Sequence, residues 1–260
     1  MRSPSMNLQC AFLRKHSFQI IRMPSKSLFK KPTTFPKNLP LKYRKLIIAI
    51  DGPAGSGKST TAKYLARLLK LPYIDSGAMY RATTWKIMQK HIPFSDLKRM
   101  VKVARKIKIR FSGKKVLADG RDVSKVIRTP ELTKKVVHIA KQPLIRHEMV
   151  KKQRALGGAE GAVMEGRDIG TVVFPRADYK FYFDADLKIR AFRRWRDLKR
   201  AGKRMPISQV KKEVKERDLT DIRRKAGALK VAKGAIVLDT SGLTIPQTAV
   251  KILKIIGQNR

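Results

Sequence analysis

Gly52-Pro53-Ala54-Gly55-Ser56-Gly57-Lys58-Ser59 follows the short apolar run Leu46–Ile50 and Asp51, and precedes a helical pattern. The octapeptide fits GxxxxGK[ST] in full. Its glycines allow a tight loop whose backbone N–H groups point inward, and the helix N-terminus behind it adds a dipole that favours phosphate. Lys58 can reach β- and γ-phosphates, the Ser59 hydroxyl can sit on Mg²⁺, and Thr60 can help hold an α-phosphate. The competing reading is a glycine-rich structural turn with a chance Lys-Ser. The strand before and the helix after argue for the first, so nucleoside triphosphate binding is the expectation.

Outward from the loop, Leu46–Ile50 is β-branched and apolar, as a buried parallel strand should be. Ser59 to Leu71 carries helical periodicity through Ala62, Leu65, Ala66 and Leu69, and stops before Pro72. Tyr73-Ile74-Asp75 reads as a second strand, and Ala78 to Lys90 as a helix. The block 92–150 differs: a helix from Leu97 to Ile107, a hairpin of Ile107–Phe111 and Lys115–Ala118 around Ser112-Gly113-Lys114, a short element at Asp122–Ile127, then a long basic helix from Pro130, kinked at Pro143. The block is long for a simple crossover and reads as an inserted lobe. Ala162–Met164, Tyr179–Phe183 and Ala235–Leu238 then resume the strand pattern. Between them lie a very basic helix, Leu187 to Arg200, and a second arm, Gly202 to Arg217. Pro246 to Ile256 closes the chain as a helix. Five strands with helical crossovers predict an α/β fold with an α/β/α layered sheet.

The chain has 260 residues, with 61 Lys+Arg against 19 Asp+Glu, a formal charge of +42, and 42% hydrophobic residues. That suffices for a sizeable core. Cys10 alone excludes an internal disulfide and a cysteine metal cluster, and four scattered histidines leave little for zinc. No apolar run reaches a membrane span. Residues 1–45 hold eleven Lys+Arg and no acid, with prolines at 4, 24, 32, 36 and 40, leaving +31 for the remaining 215 residues. Three readings of this stretch stay open: a disordered basic arm, a start assigned upstream of a true one at Met23 or later, and an organelle presequence. The charge also predicts sequence-independent attraction to polyanions. No aromatic–basic stacking array is evident in the sequence to sharpen that into nucleic-acid recognition.

A phosphate loop alone does not separate a GTPase, an ATPase motor and a small-molecule kinase. No Asn-Lys-x-Asp guanine motif is present, and the chain is short for a helicase. The choice rests on further motifs. Asp75-Ser76-Gly77-Ala78-Met79-Tyr80-Arg81, Gly166-Arg167-Asp168-Ile169-Gly170-Thr171-Val172-Val173-Phe174-Pro175 and Glu216-Arg217-Asp218 with Asp221 and Arg224 occur in one order and spacing. Together they resemble bacterial-type cytidylate kinases, from about Leu46 to Ile256. The resemblance implies a three-layer α/β/α P-loop kinase fold with a five-stranded parallel core sheet, an NMP-binding insert and a small lid. It divides the chain into an extension, 1–45, and a kinase domain, 46–260, with core 46–91 and 160–260, insert about 92–150 and lid about 196–220. It implies transfer of the ATP γ-phosphoryl group to CMP or dCMP with Mg²⁺, by a monomer without a membrane partner. The expected location is the cytoplasm, or an organelle if residues 1–45 are a presequence.

The resemblance also implies roles. Gly52 to Thr60 hold ATP, with Lys58 acting on the transferring group. Ser76, Arg81, Arg146, Arg167, Asp168, Arg217, Asp221 and Arg224 form the acceptor site. Asp168 serves the cytosine or its placement, since a carboxylate suits a base edge bearing an amino group. Arg190, Arg193 and Arg194 are nucleotide-side or lid cations, with Arg193 and Arg194 matching best as catalytic groups. Arg217, Asp221 and Arg224 stand at i, i+4 and i+7, one face of a helix. Each has a plainer reading as well: a solvated helix residue for Arg81, a structural pair for Arg167 and Asp168, a surface network for the last three. Two departures stand out. Val137 occupies the place of a small hydroxyl residue that helps read cytosine, which shifts that role to Thr133 or another neighbour. The segment after Arg224 reads Ala228-Leu229 and Ala232-Lys233-Gly234-Ala235 where the family has a Pro-Leu and an Ala-x-Asp-Ala. Kinases for UMP, AMP or shikimate are the rival enzymes, although the 75–81 block argues against shikimate. A polyanion-binding protein is the rival of another class.

Overall fold

The computed structural model describes residues 45–158 and 160–258; the expectations for residues 1–44 lie outside them. Five strands form a parallel sheet in the order β2-β6-β1-β7-β8: β1 Ile47–Asp51, β2 Tyr73–Asp75, β6 Ala162–Gly166, β7 Tyr179–Asp184 and β8 Ile236–Asp239. Ile48 and Ile50 of central β1 are fully buried, as β-branched residues between two helical layers should be. The register aligns the strands' C-terminal ends: Asp51 lies opposite Gly166, Asp75 opposite Glu165, and Asp184 opposite Asp239. After β1 the chain crosses to β2 and returns to β6, then leaves for β7 on the other side. The crevice beyond β1 is therefore a topological switch point, where such sheets take ligands.

One face is covered by α1 (Lys58–Leu69) and α8 (Ile245–Gln258), whose Ala62, Leu65, Ala66, Leu69, Ile252 and Ile256 pack against Ile48, Ile50, Phe181 and Phe183. The other face is covered by α2 (Ser76–Gln89) and α5 (Pro143–Gly158), through Ala78, Met79, Ala82, Ile145 and Met149. The inserted block holds α3 (Leu97–Lys106), a three-stranded antiparallel sheet of β3 Ile109–Ser112, β4 Lys115–Ala118 and β5 Arg121–Asp122, and α4 (Pro130–Ala140). Its Met100, Val116, Ile127 and Ile139 belong to the same cluster as Ala162 and Met164 of β6, so insert and core share their apolar packing.

Several local expectations need adjustment. The helix expected to run kinked through Pro143 is two helices, because proline removes an amide hydrogen and clashes with the preceding turn. The element expected at Asp122–Ile127 is the end of β5 followed by a 3-10 turn, Val126–Arg128. The two basic arms are α6 (Leu187–Arg200) and α7 (Ile207–Arg223), an antiparallel pair with its own small core of Leu198, Val210 and Val214, against which Ala54 of the glycine-rich loop packs.

Candidate functional site

The loop 52–57 leaves β1 and enters α1 through Gly57, whose φ of 87° lies in the left-handed region that favours glycine. Lys58 is buried and folds back over the loop, its Nζ donating to the Pro53 carbonyl at 2.7 Å. Burial, and then repulsion from Arg167, lower its pKa to about 7. Ser59 Oγ donates to Glu165 Oε1 at 2.7 Å, and Tyr73 OH to the same oxygen at 3.3 Å. Burial pushes the Glu165 carboxyl above its ordinary range. A hydroxyl and a carboxylate beside a phosphate loop are hard oxygen donors of the kind Mg²⁺ takes, either directly or through its waters. Glu165 was not among the expected residues. Its signal was an acid at the end of an otherwise apolar buried strand.

At the end of β2, Asp75 caps α2 by accepting from Ala78 N at 2.7 Å, and pairs with Arg81 at 3.0 Å and Arg128 at 3.7 Å. Arg81 Nε is buried without a partner. Ser76 Oγ donates to the Glu165 carbonyl at 2.7 Å. Beyond the end of β6, Arg146 is buried and ion-paired with Asp168, and its guanidinium lies 5.3 Å from the Tyr80 ring centroid. Arg224 stands 4.0 Å from Asp168 and 3.4 Å from Asp221, and Asp221 accepts from Arg167 Nε at 2.6 Å. These five side chains alternate in sign from Arg146 through Asp168, Arg224 and Asp221 to Arg167. Burial would raise the Asp221 pKa, but Arg167, Arg224 and Arg217 hold it below its ordinary value.

Arg217 has no ion pair among the described residues. Much of its side chain is open to solvent, but it stands deep among its neighbours. Partial withdrawal from water, and then the nearby Arg167, Arg81 and Arg194, bring its pKa down to about 10. Buried Tyr80 OH and Arg224 Nη2 also lack hydrogen-bond partners. The cluster therefore offers cations and donors in excess of its carboxylates, which suits an anion.

The structure brings Arg146, Arg167, Asp168, Asp221 and Arg224 into direct contact and sets Arg217 beside them. The expected single helical face needs correction: α7 ends at Arg223, and Arg224 has left the helix with φ −65° and ψ 140°. It rejoins Asp221 by a turn of the chain. Arg190, expected with Arg193 and Arg194 as a nucleotide-side or lid cation, has its charge already engaged within the fold. It is buried, ion-paired with Asp218, and donates to the Ala54 and Ala185 carbonyls at 3.1 and 2.8 Å. Asp218 also accepts from Ala54 N at 3.1 Å, so this pair ties α6 and α7 to the glycine-rich loop. Arg193 donates to the Thr240 carbonyl at 2.6 Å, and Thr240 Oγ1 donates to the Ser56 carbonyl at 2.9 Å. Arg194 is exposed. Val137 is 44% exposed, and the Thr133 hydroxyl donates to the Thr129 carbonyl at 2.8 Å.

The sequence profile of the family described as cytidylate kinase matches residues 48–258. A cytidylate kinase of Caldanaerobacter subterraneus subsp. tengcongensis is 46% identical over 212 residues, covering 82% of this chain and 95% of that protein. A cytidylate kinase of Bacillus cytotoxicus is 41% identical over 219 residues, covering 83% and 97%. A bifunctional pantoate ligase/cytidylate kinase of Synechococcus sp. is 40% identical over 222 residues, which are 83% of this chain and 41% of that longer protein. Similarity of this extent, over both the glycine-rich loop and the arginine–aspartate cluster, places the chain in the cytidylate kinase family.

Proposed function

We propose that the protein transfers the γ-phosphoryl group of ATP to CMP and dCMP, giving ADP with CDP or dCDP. The observation that carries this reading is the arginine-rich alternating cluster 146–168–224–221–167 at the end of β6, next to the strand that delivers Lys58. A phosphate loop for the donor thus faces a cationic pocket for an anionic acceptor. The acceptor phosphate oxygen attacks the γ-phosphorus in line, the bond from that phosphorus to the β–γ bridging oxygen breaks, and ADP leaves. No protein nucleophile is needed, so catalysis rests on positioning and charge.

In this reading the backbone of Gly52 to Gly57, with Pro53, Ala54, Gly55 and Ser56, surrounds the donor phosphates, assisted by Thr60. Lys58, Arg193 and Arg194 neutralise charge on the transferring group. Ser59 and Glu165 would hold Mg²⁺, which would supply positive charge to offset that of the phosphates. Arg81, Arg146, Arg167, Arg217 and Arg224 bind the acceptor phosphate, Asp221 faces the sugar, and Asp168 and Ser76 serve the pyrimidine side. Exposed Val137 supplies no hydroxyl, so base recognition in this reading falls mainly on Asp168. Action as a monomer belongs to the same proposal. No helix among the described residues is long and apolar enough to cross a membrane. A cytoplasmic location belongs to the same proposal.

An ADP-release assay across all nucleoside monophosphates and deoxynucleoside monophosphates tests it. CMP and dCMP should turn over with the highest kcat/KM. A preference for UMP or AMP would overturn the base assignment, and no turnover with any of them would overturn the acceptor class.

A further inference from the structure

The segment carrying Arg167 and Asp168 is held from outside at both ends. Residues Ile169–Val173 form one wide helical turn, in which Phe174 N donates to the Ile169 carbonyl at 2.7 Å. A turn this short leaves free N–H groups at its start and free carbonyls at its end. Its own N-terminal residue offers no cap: Asp168 makes no side-chain capping bond and is committed to Arg146. Asp51, the last residue of β1, meets the N–H groups instead. Its Oδ1 accepts from Ile169 N at 2.8 Å and its Oδ2 from Gly170 N at 2.7 Å, and the side chain is buried. At the far end, Arg154 of α5 donates from Nε to the Val173 carbonyl at 2.8 Å and from Nη2 to the Val172 carbonyl at 2.8 Å. An acidic side chain thus accepts at the turn's N-terminus and a cationic one donates at its C-terminus.

Asp51 is also the residue immediately before the glycine-rich loop. Its backbone therefore leads into the donor loop, while its side chain holds the turn that aims Arg167 and Asp168. Two groups that must approach to in-line distance hang from one rigid point, and a displacement of about 1 Å at such a site can cost about a hundredfold in rate.

We infer that Asp51 is a positioning residue for phosphoryl transfer, a cap supplied from β1 that sets the acceptor-side turn in register with the donor loop, and that Arg154 steadies the same turn from its other end. The inference rests on the kinase reading above. Asp51 touches neither nucleotide in this account; it acts through the backbone of Ile169 and Gly170. Its effect is directional: loosening the turn disturbs acceptor binding and transfer, while the glycine-rich loop keeps its own contacts to the donor.

The test compares wild type, Asp51→Asn and Arg154→Gln in the full chain, with CMP and ATP as probes. Asp51→Asn keeps one oxygen acceptor but turns an N–H donor toward a backbone N–H. Arg154 is exposed, so Arg154→Gln should fold even if the buried substitution does not. Expected for Asp51→Asn is a KM for CMP raised about tenfold or more with a reduced kcat, and a dissociation constant for ATP within about twofold of wild type. Arg154→Gln should show the same split at about two- to fivefold. Equal losses for CMP and ATP in either folded variant, or no change in both, would overturn the inference. If Asp51→Asn fails to fold, the split in Arg154→Gln alone decides. Failure of wild type to phosphorylate CMP would instead sink the kinase reading.

Discussion

Arg167 Nε donates to Asp221 Oδ2 at 2.6 Å, across 54 residues of chain. The first stands on the turn after β6 and the second on α7, so this contact joins the sheet's ligand edge to the basic helical arm. Asp221 also lies 3.4 Å from Arg224 and is the carboxylate that offsets the field around Arg217. Removing it leaves three arginines facing one another. Asp221→Asn is expected to raise the KM for CMP at least about tenfold, with ATP binding little changed, and to cost about 1–3 kcal/mol of stability. Denaturant unfolding and steady-state kinetics check both; unchanged CMP kinetics would remove Asp221 from the acceptor site.

Lys58→Ala should abolish turnover while leaving the fold intact. The ammonium is buried with its pKa lowered to about 7, so deleting it relieves a desolvation cost and loses one hydrogen bond to Pro53. The expected result is a kcat lower by about a hundredfold or more with an unchanged melting temperature. Near-normal activity would contradict the mechanism.

Gly227 has φ +61°, and a Cβ there would strike the Arg146 guanidinium and the Asp168 carboxylate. Gly227→Ala combines backbone strain with displacement of that pair. Expected are a stability loss of about 1–3 kcal/mol and a CMP defect larger than the ATP defect. Calorimetry with separate titrations of the two nucleotides would show it, and a variant binding CMP normally would mean that the loop has room to yield.

Burial raises the Asp51 pKa from 3.8 to about 7, although Gly170 and Ile169 donate to it. Lys58, Asp168 and Tyr182 are the charged and titratable groups facing it. Between these two pH values the folded chain keeps a proton that the unfolded chain releases. The group's contribution to stability is therefore full below its unfolded pKa and is lost as pH rises through about 7. Melting temperatures of Asp51→Asn should vary less than those of wild type from about pH 4.5 to about pH 7.5. An equal slope in both proteins would rule out Asp51 as the source.

Phe192 is 48% exposed on α6 and stacks on Trp195, with ring centroids 5.8 Å apart and Lys199 5.3 Å from the indole centroid. Lys188 and Arg196 flank the pair on the exposed side of the helix. This is an aromatic–basic patch that a linear reading passed over, because residues three apart become neighbours only on a helix. Weak, sequence-independent binding of single-stranded RNA is expected at low salt and should vanish near about 0.15 M salt. Retention at that salt in a filter-binding assay would mean recognition beyond charge.

The core strands and the loop 52–59 were legible in the sequence because each has a local signature, whereas the residues of the arginine–aspartate cluster were named only through the family resemblance. Buried parallel strands are short and β-branched, glycines mark the tight loop, and Pro72 marks a stop. Glu165, Asp218 and Gly227 were less legible. Each is an ordinary residue whose importance lies in what a distant segment places against it: Ser59 and Tyr73 for Glu165, Arg190 and Ala54 for Asp218, Arg146 and Asp168 for Gly227. Arg224 shows the limit of periodicity, since i+7 spacing assumes a helix that here ends one residue earlier.

The amino-acid sequence by itself determined the phosphate loop, the layered α/β class and the family, because these follow from residue type at short spacing. Only the tertiary structure decided which arginines are ion-paired within the fold and which, among the described residues, are not. Arg190 and Arg217 are both arginines on basic helices; one is ion-paired beneath the loop, and the other makes no ion pair among the described residues and stands beside further cations. Charge is written along the chain, but its neutralisation depends on which carboxylates the packed sheet and helices bring within a few ångströms.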